Sequence, residues 1–381
     1  MPDTNLMPAT LHNRSFGLDL ARAIAISMVL CSHFAAHSHK IFGFGFWGVE
    51  LFFGLSGFLI GQILWKTYDG TSAWSFAEIF NFWQRRWWRT LPNYYLFLFI
   101  LIIASLINGE NFSWVILPSF FWFGQNFIKG FYGFFLVSWS LCIEEWFYLL
   151  FPLVLLLFSK LKIQKKKSFV LTLLVFFIGS FLIRLHLYSL GNSGLIRIVT
   201  IARLDAIASG VLIAFWLLVI KPTLLWKKIA FFSGMVIWLL LLIGFFTNFI
   251  DYDTLTDTPG YDQPVKNSLV LLLAPLGFSL MLPLASLLNL TSKALLFVRI
   301  AIEKISLWSY SIYLSHLPVM WAVYKITERI RVNVYGNLFS KFVGLTVTIA
   351  ISALLFKYFE EPLTKKRPAQ KGVYIKQNGI S

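Results

Sequence analysis

LTLLVFFIGSFLI at residues 171–183 and MVIWLLLLIGFF at residues 235–246 are unbroken apolar runs, and their continuity decides the fold. A membrane-crossing β-strand would alternate lipid-facing and lumen-facing side chains over about ten residues. Neither run alternates. A helix crossing the hydrocarbon needs about 20 apolar residues and satisfies its backbone hydrogen bonds within itself. Working outward, the sequence predicts an all-α polytopic membrane protein of about ten transmembrane helices, near 18–36, 47–66, 92–108, 139–158, 168–189, 196–219, 225–248, 268–290, 304–327 and 339–359. The 381 residues are 58% hydrophobic and 13% charged, with a mean hydropathy of +0.72. An ordinary soluble domain is roughly a quarter charged, so a soluble globular fold is excluded. The 24 Gly and 13 Pro have no period, which excludes collagen-like and low-complexity chains. Segment 112–127, FSWVILPSFFWFGQNF, is short and interrupted by Pro118 and Gly124, and predicts a re-entrant or interfacial piece.

The formal charge of +16 sits in short loops between spans. In a soluble chain it would suggest nucleic acid; here it predicts positive-inside bias and attraction to anionic lipid or an anionic cosubstrate, with no nucleic acid. The basic stretches Gln84–Arg89, Lys160–Lys167, Lys221–Lys228, Lys293–Lys304 and Lys365–Lys371 fall on one side. The loop 249–267 carries Asp251, Asp253, Asp257 and Asp262, so both termini are expected in the cytoplasm. Residues 328–338, with Arg329 and Arg331, run against that assignment. The predicted organisation is a cytoplasmic N-terminal segment 1–17, a membrane domain 18–362 and a basic cytoplasmic tail 363–381. The first apolar run contains Arg22 and lacks a cleavage pattern, so it is expected to stay as the first span. Cys31 and Cys142 lie inside apolar runs and predict no disulfide framework, and His33, His37 and His39 lack a paired carboxylate, so no metal is expected.

An ionisable side chain inside a span costs about 3 kcal/mol on insertion scales, so each one invites a functional reading. Arg22 and His33 are eleven residues apart and share one helix face; a snorkelling Arg and a structural His would look the same. In SWSLCIEEWFYLLFP, Ser140, Glu144 and Tyr148 repeat at four residues, with Glu145 alongside. Catalytic carboxylates or a structural pair with a buried Arg such as Arg203 both fit. Arg203 and Asp205, in TIARLDAIASG, read as a substrate clamp or a bundle-locking pair. Ser306, Ser309, Tyr313 and His316 form a polar stripe that must face protein or a watery cavity. In QRRWWRTLP, Arg85, Arg86 and Arg89 suit either positive-inside anchoring or a phosphate cradle.

Together these stretches resemble the acyltransferase-3 family of integral membrane O-acyltransferases. LDLARAIAISMVLCSHF carries the spaced Arg and His, followed in order by WGVELFFGLSGFLIG, RRWWRTLP, WSLCIEEWFYLLFP, RLDAIASG, SYSIYLSHLP and FEEP at Glu360–Pro362. The resemblance implies a multi-pass enzyme of the bacterial cytoplasmic (inner) membrane. Such an enzyme moves an acyl group, usually acetyl, from acyl-CoA to a hydroxyl of a surface polysaccharide, lipopolysaccharide or other glycan that is sometimes lipid-linked. Acyl-CoA is then a cosubstrate, and no cofactor is bound permanently. Some members carry an extracytoplasmic esterase-like domain; 381 residues leave no room for one, so transfer is expected from the membrane domain itself or through a separate partner.

A hydroxyl attacking a thioester needs a base near neutral pH, which assigns His33 as base or acylated nucleophile. Glu144 is expected to orient His33, with Glu145 as the alternative. His316 is expected to join Ser309 and Tyr313 in acceptor binding or carbonyl polarisation, and Arg203 and Asp205 contribute to substrate if they are a clamp. Arg22, Arg85, Arg86 and Arg89 are assigned to the CoA side. Because His33 lies about 16 Å along its helix from Arg22, the acyl group is expected to cross the bilayer during transfer. A transporter or flippase of a lipid-linked sugar is the competing reading, but it expects Gly/Pro-broken helices in related halves, which the sequence lacks. An assembly subunit leaves the His and Glu stripes unexplained.

Overall fold

Residues 14–34, 39–109, 114–128, 133–191, 196–247, 249–250, 263–329 and 334–370 are described in a computed structural model, with the side chains of 39–42, 293, 328–329 and 334–338 excepted. Asp251, Asp253, Asp257, Asp262, His37 and Arg331 lie outside the described residues, as do the side chains of His39 and Arg329 and the segments 1–13 and 371–381.

Every predicted span falls on a helix, and no strand occurs among the described residues. The long helices are α1 (Phe16–Phe34), α2 (His39–Gly70) and α3 (Phe76–Asn108), then, after the short α4 (Leu117–Phe121), α5 (Ser138–Lys160), α6 (Lys165–Ser189), α7 (Leu204–Val219), α8 (Leu224–Phe246), α9 (Pro264–Ala285), α10 (Leu296–Arg329) and α11 (Val334–Leu355). A π turn, Phe356–Glu360, leads from α11 into α12 (Glu361–Lys365). Among the described residues, eight helices are long and apolar enough to cross a membrane, with α11 counted through to Lys365. The other two predicted spans behave differently: α7 has only 16 residues, and α10 has 34 but carries the Ser, Tyr and His stripe that lowers its apolarity.

Four helix starts differ by eight residues or more from the sequence expectation; α2 begins at His39, not near 47, and α10 at Leu296, not near 304. α3 begins at Phe76, not near 92, because Ser75 and Glu78 close a capping box: the Ser75 hydroxyl accepts from the Ala77 amide (3.2 Å) and the Ser75 amide donates to Glu78 (3.1 Å). RRWWR is therefore helical, and Pro92 is carried inside the helix. α7 begins at Leu204, not 196; a 3-10 turn, Thr200–Ala202, precedes it. The 114–128 segment has α4 at its centre and is strapped to its neighbours by side chains. Tyr94 and Tyr95 donate to the carbonyls of Phe120 (2.8 Å) and Phe121 (2.7 Å), and Trp146 Nε1 donates to that of Phe123 (3.0 Å).

α2 sits centrally, packed on α1, α7 and α9. Small residues let it approach α7: a Cβ on Gly57 would lie 2.0 Å from the Ile207 carbonyl oxygen, and one on Gly210 would lie 2.1 Å from that of Gly54. Two fully buried ion pairs bolt this centre. Arg203 pairs with Glu50 of α2 and donates to the Leu271 carbonyl of α9 (2.7 Å). Arg184 of α6 forks onto Asp205 at 3.0 and 2.7 Å.

Candidate active site

α1, α2, α3, α5 and α10 enclose a cavity of about 110 Å³ whose polar wall gathers most of the singled-out residues. One end is basic. Arg22, Arg86 and Arg89 line it. Positions 86 and 89 stand three apart on α3 and share a face, whereas 85 is rotated by about 100° from 86. Arg85 does not line the cavity and donates to the Pro368 carbonyl. Arg86 keeps its Nε buried without a hydrogen-bond partner. Arg22 is held by Asp19, one turn earlier at 3.6 Å, and by Ser306 at 3.3 Å, while Ser306 itself donates to Asp19 (2.7 Å). Arg14 also pairs with Asp19.

The α5 stripe forms the middle of the wall. Tyr148 donates to Glu144 (3.1 Å) and shares a 2.5 Å hydrogen bond with Ser56 of α2. Ser140 and Tyr313 hydroxyls meet at 2.7 Å, and Ser309 completes the lining from α10. Glu144 is thus engaged by Tyr148, and the ring standing beside His33 is that of His316.

That pair lies next to Tyr313. The Tyr313 and His316 ring centroids are 5.9 Å apart, and those of His316 and His33 5.1 Å. His316 Nδ1 sits 2.8 Å from the Tyr313 carbonyl and 3.2 Å from that of Ile312. Both neighbours are acceptors, which assigns the proton to Nδ1 and leaves Nε2 with a lone pair. Nε2 is buried and has no hydrogen-bond partner.

Three predicted site residues lie elsewhere. Glu145, adjacent to Glu144 and so about 100° around the helix, lines a separate groove and accepts from Thr90 (2.7 Å). Arg203 and Asp205 do not line the cavity and form the buried ion pairs above, an arrangement that fits the bundle-locking alternative. The sequence reading passed over Asp19, Ser56 and Thr90. It also gave no role to Glu360, which accepts from Ser311 (2.7 Å) and Asn93 (2.9 Å) and ties the π turn to α3 and α10. Asp19 at three residues before Arg22 was a readable signal. The other contacts join distant segments.

Residues 15–357 match the family model described as "Acyltransferase domain". The chain is 27% identical over 376 residues to "Putative O-acetyltransferase SACOL0978" of Staphylococcus aureus strain COL, covering 92% of this chain and 57% of that one. It is also 27% identical over 384 residues to "O-acetyltransferase OatA" of strains NCTC 8325 and COL, with the same coverage. It therefore spans a little over half the length of these relatives. No solved structure matches it. With a family match running across nearly all of its membrane helices, the chain belongs to the acyltransferase-3 family.

Proposed function

We propose that this multi-pass membrane protein is an O-acetyltransferase that moves an acetyl group from acetyl-CoA to a hydroxyl of a cell-surface sugar or glycan in the bacterial cytoplasmic membrane. One observation carries the reading: a cavity lined by three arginines and by Glu144, Tyr148 and Tyr313 adjoins, through Tyr313, the tilted ring pair of His316 and His33, which do not themselves line it. Arg22, Arg86 and Arg89 hold the CoA phosphates, since guanidinium forks pair phosphate bidentately. The pantetheine arm runs along the wall past Glu144 and Tyr148, whose oxygens suit its amides. His33 lies about 16 Å from Arg22 along α1, so the thioester is delivered to the histidines while the nucleotide stays at the basic end. The acceptor hydroxyl oxygen attacks the thioester carbonyl and a C–O bond forms. His33 takes the hydroxyl proton, the C–S bond breaks, and the departing CoA thiolate recovers a proton from the imidazolium. The Nε2 lone pair of His316 supports the charged ring of His33, in the place the sequence reading gave to Glu144. The names of the S. aureus relatives point to the same group transfer.

Membranes holding the protein, supplied with radiolabelled acetyl-CoA and glycan acceptor, are expected to form a base-labile labelled ester that disappears in His33→Ala. Ester formation independent of His33 would contradict the assignment.

A further inference from the structure

On the opposite side of Thr90 from the cavity lies a groove of about 390 Å³. Its walls are Trp87, Leu91 and Tyr95 of α3, Trp122 of the strap, and Trp146 and Leu149 of α5. The α3 residues repeat every four positions, and the same stripe continues through Phe99 and Ile103, which are 51% and 56% exposed. On a membrane-crossing helix an exposed apolar stripe faces lipid tails, so the groove opens sideways into the hydrocarbon. Its rim agrees, with Trp122 54% and Phe121 40% exposed. Amid this apolar lining stands one carboxylate. Glu145 has one oxygen engaged by Thr90, the one side chain that donates to it among the described residues. A carboxylate within the hydrocarbon is retained where something uses it, and the complement of a carboxylate oxygen in an apolar slot is a hydroxyl carried on an apolar chain.

We propose that this groove is a lateral binding site for an amphiphile that carries a hydroxyl on an apolar chain. Thr90 links the two compartments, because it lines the arginine cavity and its hydroxyl donates to Glu145. An occupant hydrogen-bonded to Glu145 is therefore separated from the donor cavity by one side chain.

The test uses the full chain in proteoliposomes without acyl-CoA, photolabelled with octadecanol or octadecane bearing a mid-chain diazirine. The alcohol is expected to label the Trp87, Trp146 and Leu149 peptides severalfold over the alkane, since it alone can hydrogen-bond Glu145. Both probes should label the lipid-facing Val236 and Leu240 of α8 alike. Glu145→Leu should bring groove labelling by the alcohol down to the alkane level, and Leu149→Trp should suppress both probes there. On wild-type protein alone, unlabelled octadecanol should compete and octadecane should not, which keeps the test decisive if a variant misfolds. Equal labelling by the two probes would overturn the site, leaving ordinary lipid contact. Displacement of the alcohol by palmitoyl-CoA would overturn the occupant, making the groove a donor-chain slot. Labelling needs no acetyl transfer, so specific labelling of a protein that transfers nothing would contradict the enzymatic reading and leave this site standing.

Discussion

Asp19 accepts from Arg14 and Ser306 and lies 3.6 Å from Arg22, and of these three only Arg22 lines the cavity, so its effect on the donor passes through Arg22. Asp19→Asn keeps the shape and removes the charge. The donor KM is expected to rise several-fold, since hydrogen bonds to charged groups contribute about 1.5–3 kcal/mol when intact, while kcat at saturating donor stays near wild type. Steady-state kinetics over a range of acetyl-CoA concentrations checks this; an unchanged KM with a lowered Tm would make Asp19 structural only. The helical period alone placed Arg22 and His33 on one face, and Ser140, Glu144 and Tyr148 on another. The same period separates Arg85 from Arg86 and Glu145 from Glu144, but the sequence does not say which of two neighbours faces inward. The His33–His316 pairing depends on where α1 meets α10, 283 positions apart in the chain, and no local pattern encodes it.

At the scale of elements, apolar length announced the helices but misplaced four of their starts, those of α2, α3, α7 and α10. Pro92 and three arginines read as a boundary, yet the capping box at Ser75 and Glu78 had already begun α3, which turns a supposed loop cluster into two inward arginines and one outward. The buried Arg203–Glu50 bolt was half legible: Arg203 was visible as costly, but Glu50 lies 153 residues away on the central helix. Because removing one member of a buried pair orphans the other, Glu50→Leu is expected to destabilise the protein by about 3–5 kcal/mol. Glu50→Leu with Arg203→Leu should recover most of that loss. Thermal unfolding in detergent measures both; a double variant no better than the single would show that the cost comes from packing and not from the stranded charge.

For the whole molecule, the lysine-rich 160–167 loop predicts that the basic end of the cavity faces the cytoplasm. With Cys31 and Cys142 replaced by Ser, Gln164→Cys is expected to resist an impermeant thiol reagent in intact cells and to react once the membrane is opened. Labelling in intact cells would reverse the orientation. The central claim is that donor binding at the cavity's arginines and chemistry at the His33–His316 pair beside it are separable, and acetyl-CoA affinity measured beside single-turnover transfer tests it most directly. His33→Ala is predicted to bind acetyl-CoA as tightly as wild type and to lose about 10²–10⁴ in transfer rate. Arg86→Gln with Arg89→Gln is predicted to weaken binding, with the wild-type advantage greatest at low salt because exposed phosphate contacts are screened, and to transfer normally once saturated. Wild-type transfer by His33→Ala, or loss of the same parameter in both variants, would contradict it.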